Sequence, residues 1–129
     1  MTNPRKLALT LLGKQEAAGQ YASIALDSAI KQNELSPADR ALLSILVYGV
    51  LEKKLTLDYA IDRFSQGKDI EPAVRQMLRL GLYQLAFLDK VPDHAAVNET
   101  VNLAPARAKG FVNAILRAFL REEKKLPLP

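Results

Sequence analysis

Residues 41–51 (ALLSILVYGVL) constrain the chain more than any other stretch. Wound as a helix they are apolar almost all round, interrupted only by Ser44 and Gly49. A helix of that kind needs neighbours on several sides, so it predicts a central element in a multi-helix domain. The run falls short of the roughly 20 residues that span a bilayer, and no other run is longer. Its start is the best marked in the chain: Ser36 stands as N-cap, Pro37 in the first turn, and Asp39 three residues on, a variant of the capping box.

The other helices carry similar punctuation. Asn3 and Pro4 open the first, with Leu7, Ala8, Leu11 and Leu12 as its apolar stripe, and Gly13 and Gly19 bracket its expected end. A second is expected over residues 21–32, burying Ala22, Ala25, Leu26 and Ala29. After the central helix another is expected to restart near Thr56 and run through Phe64, on an inner face of Leu57, Ala60, Ile61 and Phe64. Residues 65–71 read as the longest internal loop. Pro72 then opens a helix whose Val74, Met77, Leu78, Gly81, Leu82, Leu85 and Leu88 keep a three-to-four spacing. Gly81 in mid-helix costs about 1 kcal/mol relative to alanine, a cost that a close helix crossing would explain. A break at residues 90–92 precedes a helix over 93–104, stopped by Pro105. The last helix carries Phe111, Val112, Ile115, Leu116, Phe119 and Leu120 on one face.

Sustained period-two alternation and Asn-Gly or Asp-Gly turns are missing, so strands are not expected. The reading is all-α: one compact bundle of about seven helices over residues 1–122, with 123–129 as the start of a linker. The chain lacks cysteine and has one histidine, His94. Disulfides, thiolate nucleophiles and sulfur ligands are thereby excluded, and neither a metal site nor a histidine catalyst is expected. Lys and Arg number 18 against 14 Asp and Glu, a mild excess of +4 that is compatible with phosphate binding without establishing it. With neither a membrane span nor a signal peptide in view, the expected location is the cytoplasm.

Three ordered blocks carry a resemblance. Arg79-Leu80-Gly81-Leu82-Tyr83-Gln84-Leu85 is followed by Phe87-Leu88-Asp89-Lys90-Val91-Pro92 and by His94-Ala95-Ala96-Val97-Asn98-Glu99. Asp39-Arg40-Ala41-Leu42-Leu43 with Val47-Tyr48-Gly49 precedes them, and Gly110-Phe111-Val112-Asn113-Ala114-Ile115-Leu116-Arg117 follows. In order and spacing these resemble the NusB-like domain that precedes the catalytic domain in RsmB-type rRNA methyltransferases, over residues 4–122. The resemblance implies a NusB-like fold and an RNA-facing accessory role. In that family a following domain binds S-adenosylmethionine and methylates C5 of a cytosine in 16S rRNA through a cysteine. This chain has no cysteine for such an adduct and no glycine-rich turn after a strand, so by itself it is not expected to be an enzyme. The implied partners are 16S rRNA and the C-terminal methyltransferase domain, with no membrane. The alternative is a stand-alone NusB-like antitermination factor that binds RNA together with a ribosomal protein.

Six cationic residues are the RNA-contact candidates that follow. Arg5 and Lys6 stand in a helical first turn, where the dipole disfavours cations, so tolerating them fits a phosphate contact. Arg40 follows the cap of the central helix. Arg117 and Arg121 lie four apart on the polar side of the last helix with Asn113 a turn earlier, a ridge able to follow a phosphate backbone. Arg79 is added because Tyr83, one turn on, could share an RNA surface with it, although Arg75 and Arg79 read more simply as a solvated pair. Asn98, Glu99 and Asn113 are expected to hold helix ends together by hydrogen bonds.

Overall fold

A computed structural model describes residues 2–18 and 21–127. Among them are six helices and no strand: α1 (Pro4–Ala18), α2 (Ala22–Gln32), α3 (Pro37–Phe64), α4 (Pro72–Phe87), α5 (Asp93–Asn102) and α6 (Ala106–Arg121). The chain divides within α3 into two compact units, Met1–Glu52 and Lys53–Pro129.

In the first unit the two expected caps are present. Asn3 Oδ1 accepts the Arg5 N–H at 2.9 Å and the Lys6 N–H at 3.3 Å, and Ser36 Oγ accepts the Asp39 N–H at 3.1 Å. Helix α1 packs on α2, burying Ala8, Leu11, Leu12, Leu26 and Ala29, whereas Ala22 and Ala25 are only half-buried. Helix α1 runs to Ala18, within the bracket expected for its end, and Gly13 lies in the helix interior, where an added Cβ would meet nothing within 4 Å. Gly19 lies outside the described residues.

The expected restart near Thr56 does not occur, and α3 runs 28 residues without a break. The intervening Glu52, Lys53, Lys54 and Leu55 include neither glycine nor proline and are good helix formers, so the charges at 52–54 do not mark an end. Nor is the run at 41–51 surrounded. Leu43, Leu46, Val47 and Val50 are buried, but Ile45 and Tyr48 are each 46% exposed. The helix ends in a left-handed turn at Gln66 and Gly67, where the Gly67 N–H reaches the Asp62 carbonyl at 2.9 Å. Residues 65–71 are the loop that the sequence predicts.

The second unit is built on α4, α5 and α6, each packed on the other two. Leu78, Leu80, Leu82, Ala96, Val97, Val112, Leu116 and Phe119 are fully buried, and the Phe64 ring meets Phe119 edge-on at 6.0 Å. Gly81 does serve a close crossing: a Cβ there would lie 2.7 Å from Leu116 Cδ2. One buried polar tie joins α4 to α5. Gln84 Nε2 donates to Thr100 Oγ1 and to the Leu80 carbonyl, both at 3.0 Å, and both residues are inaccessible to solvent.

Helix α6 stops in a second left-handed turn at Glu123 and Lys124. Lys124 Nζ pairs with Asp93 Oδ1 at 2.6 Å, tying the start of the expected linker to the first turn of α5.

Candidate nucleic-acid interface

Charge is unevenly shared along the chain. Residues 1–52 carry five Lys and Arg and five Asp and Glu, whereas residues 53–129 carry thirteen against nine, the whole excess of +4. Within the second unit α6 stands out, since its Arg107, Lys109, Arg117 and Arg121 face no acidic residue on the same helix. The amphipathic pattern explains the helix: Ala108, Val112, Ile115, Leu116 and Phe119 turn inward, and the cations are left outside.

Lys109, Asn113, Arg117 and Arg121 recur every four residues and form one inclined row. Lys109, Arg117 and Arg121 are exposed and have no carboxylate partner among the described residues. The Arg117 Nε donates to Asn113 Oδ1 at 3.3 Å, which holds the guanidinium along the row. Beside the row the solvent face of α6 is low, because Ala106, Gly110 and Ala114 are exposed and short. A Cβ at Gly110 would meet nothing within 4 Å, so a ligand backbone can come close there.

Next to the start of α6 lies a groove of about 220 Å3, lined by Lys68, Asp69, Ile70, Glu71, Val74, Arg107, Ala108 and Phe111. Phe111 is half-buried, and Lys68 Nζ stands over its ring at 5.3 Å from the centroid. Arg107 grips Glu71 with two hydrogen bonds, Nη2 to Oε2 at 2.9 Å and Nε to Oε1 at 3.4 Å. The hydrogen bond and charge of Glu71 raise the Arg107 pKa above its ordinary value. The groove thus sets an aromatic ring among two cations and two carboxylates.

The structure brings together only part of the expected set. Arg117 and Arg121 share the α6 row as predicted. Arg79 leaves it: its guanidinium is 5% exposed and clasps Asp58 through Nε to Oδ1 at 2.7 Å and Nη2 to Oδ2 at 3.0 Å. A bidentate pair at that depth ties α4 to the end of α3 and has nothing to offer an external phosphate. Arg75 is likewise engaged, with Asp62 at 2.7 Å and Asp58 at 3.3 Å. Burial opposes its charge, but the bonds to Asp62 and Asp58 outweigh burial and raise its pKa. Tyr83 is 8% exposed and lies 5.4 Å from the Phe87 ring, a core contact rather than an RNA surface.

In the first unit Lys6 and Arg40 are exposed and Arg5 is half-buried, on the first turns of α1 and α3. Asn98 and Glu99 are exposed and do not hold helix ends as expected; Gln84 and Thr100 do that instead. Three residues, Lys109 of the row and Phe111 and Lys68 of the groove, escaped the sequence reading. Lys109 was legible from its spacing to Asn113. Phe111 was read as an inner-face residue, and Lys68 stands on a loop that periodicity does not address.

Taken together, the described residues form an all-helical fold in which α6 carries a basic face. Among the described residues no group of His, Asp and Glu could hold a metal ion, and no helix is long and apolar enough to cross a membrane. The chain belongs to the NusB family, whose model matches residues 2–121. It is 45% identical over 126 residues to the probable ribosomal RNA small subunit methyltransferase B of Bacillus subtilis, covering 94% of this chain and 28% of that protein. Identity to the corresponding protein of Synechocystis is 40%, over 97% of this chain and 29% of the relative. The transcription antitermination protein NusB of Nocardioides is 36% identical over 95% of this chain and 94% of its own length. Among solved structures, NusB of T. maritima shares the fold, with a TM-score of 0.75 over 98% of this chain and 94% of that one at 21% identity. The chain therefore spans about three tenths of the length of the methyltransferases it matches, but nearly all of a NusB.

Proposed function

We propose that this chain is the RNA-binding accessory domain of an S-adenosylmethionine-dependent 16S rRNA cytosine-5 methyltransferase, and that it holds rRNA for a catalytic domain joined after Pro129. The observation that carries the reading is the row Lys109, Asn113, Arg117 and Arg121 on α6, whose three cations are exposed and have no carboxylate partner among the described residues. Three cations strung over three helical turns, with Asn113 filling the gap between Lys109 and Arg117, match an extended backbone better than they match any small anion. The low face at Ala106, Gly110 and Ala114 lets that backbone lie close, and the groove receives one unstacked base. Lys6 and Arg40 on the first unit are further candidate phosphate contacts, with Arg5 half-buried beside Lys6.

The cofactor does not fit this chain. Among the described residues there is no strand, hence no strand-to-helix turn to cradle it, and the sequence has no cysteine to attack a base. Cofactor and nucleophile are assigned to the following domain, and the work of this one is binding and orientation. An intracellular, cytoplasmic setting goes with that substrate.

Affinity led by phosphate contacts falls steeply with salt, and replacing two row arginines removes about two phosphate contacts. Arg117→Gln with Arg121→Gln is therefore expected to weaken binding to a 16S rRNA fragment and to flatten the plot of log affinity against log salt. An unchanged slope would remove α6 from the interface. A second reading, a stand-alone antitermination factor acting with RNA and a ribosomal protein, is favoured by the near-complete coverage of the Nocardioides NusB. Co-purification of the free chain with a ribosomal protein distinguishes it.

A further inference from the structure

The groove beside α6 contains its own anions. Its rim carries Lys68 and Arg107 but also Asp69 and Glu71, so its formal charge is zero although it lies in the basic half of the chain. Resting on the RNA reading above, we propose that Glu71 is an internal stand-in for phosphate, which occupies Arg107 in the free protein and is displaced when RNA enters the groove.

The geometry of the pair is that of Arg with an oxyanion. Two guanidinium nitrogens, Nη2 and Nε, meet two carboxylate oxygens at 2.9 and 3.4 Å, and a phosphate would take the same fork. The pair is also easily opened. Arg107 and Glu71 side chains are 66% and 59% exposed, and an ion pair so placed is held by little. Glu71 is moreover the N-cap of α4, yet its carboxylate makes no capping bond and reaches across to α6 instead. The first-turn N–H groups and the positive dipole end of α4 give it a favourable place once Arg107 is taken. The exchange is therefore one carboxylate for one phosphate, with Lys68 left free to move off the Phe111 ring as a base stacks there. Glu71 in this role sets a threshold: it rejects weakly charged ligands and admits a polyanion that brings several phosphates at once.

The test compares the full chain with Glu71→Gln, Arg107→Gln and the double variant, using a 16S rRNA fragment and a mixed-sequence single-stranded oligoribonucleotide as probes. Since Glu71 makes no capping bond, the fold is expected to survive, and Glu71→Ala serves as a second variant if Gln finds a new partner. At low salt Glu71→Gln is expected to bind about fivefold tighter, the effect of removing one like charge at about 4 Å in water. Its salt slope steepens by about 0.7, because the site then meets the single strand with one more net positive charge. The gain disappears in the Arg107→Gln background. If Glu71→Gln and Glu71→Ala bind no tighter while Arg107→Gln weakens the parent chain, Arg107 meets RNA and Glu71 does not compete, and this proposal alone fails. Salt-independent binding by the parent chain and all variants removes the RNA reading and this proposal with it.

Discussion

At the scale of single residues, the cations of this chain divide by what already holds them. Arg79 and Arg117 look alike in sequence, each one turn from a polar or aromatic residue, but Asp58 holds the first and Asn113 only steadies the second. Because Arg79 is buried and Asp58 also serves Arg75, the two ends of the pair are not equivalent. Asp58→Asn, which takes its carboxylate from a buried guanidinium, is expected to cost about 3 kcal/mol in urea unfolding. Arg79→Met keeps much of the buried stem and leaves Asp58 with Arg75, so it should cost only about 1 kcal/mol. Equal costs would mean that Arg79 draws little from Asp58. The partner at Asp58 was not legible in the sequence, since residues 21 positions apart meet only through the fold. A separation of 16 positions likewise hid Gln84 from Thr100. Removing the Thr100 hydroxyl with Thr100→Val leaves a buried amide short of one acceptor and should lower stability by about 1–3 kcal/mol, measured by thermal unfolding.

At the scale of elements, punctuation was readable and continuity was not. Asn3, Ser36 and Pro72 mark helix starts, and Pro105 the break after α5, because a cap or a missing N–H acts within a single turn. The polar residues 52–54 were read as a break because polarity signals exposure, and exposure is common to loops and to the outer faces of helices. Glycine is ambiguous in the same way, and two of the helical glycines, Gly13 and Gly81, predict opposite outcomes. Gly13→Ala meets open space and should stabilise the chain by about 0.5–1 kcal/mol. Gly81→Ala drives a methyl to 2.7 Å from the fully buried Leu116, and the overpacking of about 1–3 kcal/mol should outweigh its gain in helix propensity. Restoring stability to Gly81→Ala by Leu116→Val would locate the strain. If Gly81→Ala stabilises on its own, the α4–α6 crossing is looser than described.

At the scale of the whole molecule, the three sequence blocks that carry the family resemblance are mostly fold. Arg79, Leu80, Gly81, Leu82, Tyr83, Gln84 and Leu85 are all buried, and they specify how α4 meets its neighbours. Only the last block, through Gly110, Asn113 and Arg117, reaches the α6 face, and the block at 39–43 adds the exposed Arg40. Class and family could therefore be read with little structure, whereas the interface needed coordinates: Lys68, Glu71, Arg107 and Phe111 are brought together from a loop and a helix 36 positions apart. The NusB family uses this framework over nearly a whole protein and over about three tenths of a longer one, so the framework does not choose between the two readings. The surface of α6 is common ground for both, since each requires RNA to be held.

The most direct measurement is the affinity of the full chain for a 16S rRNA fragment across a salt series, made in parallel for the Arg117→Gln, Arg121→Gln variant. Affinity that falls linearly on logarithmic axes, with a slope shallower by about 1.4–1.8 in the variant, is the expected result for two phosphate contacts on α6. Equal slopes for two folded proteins, or an affinity that salt does not change, would contradict it.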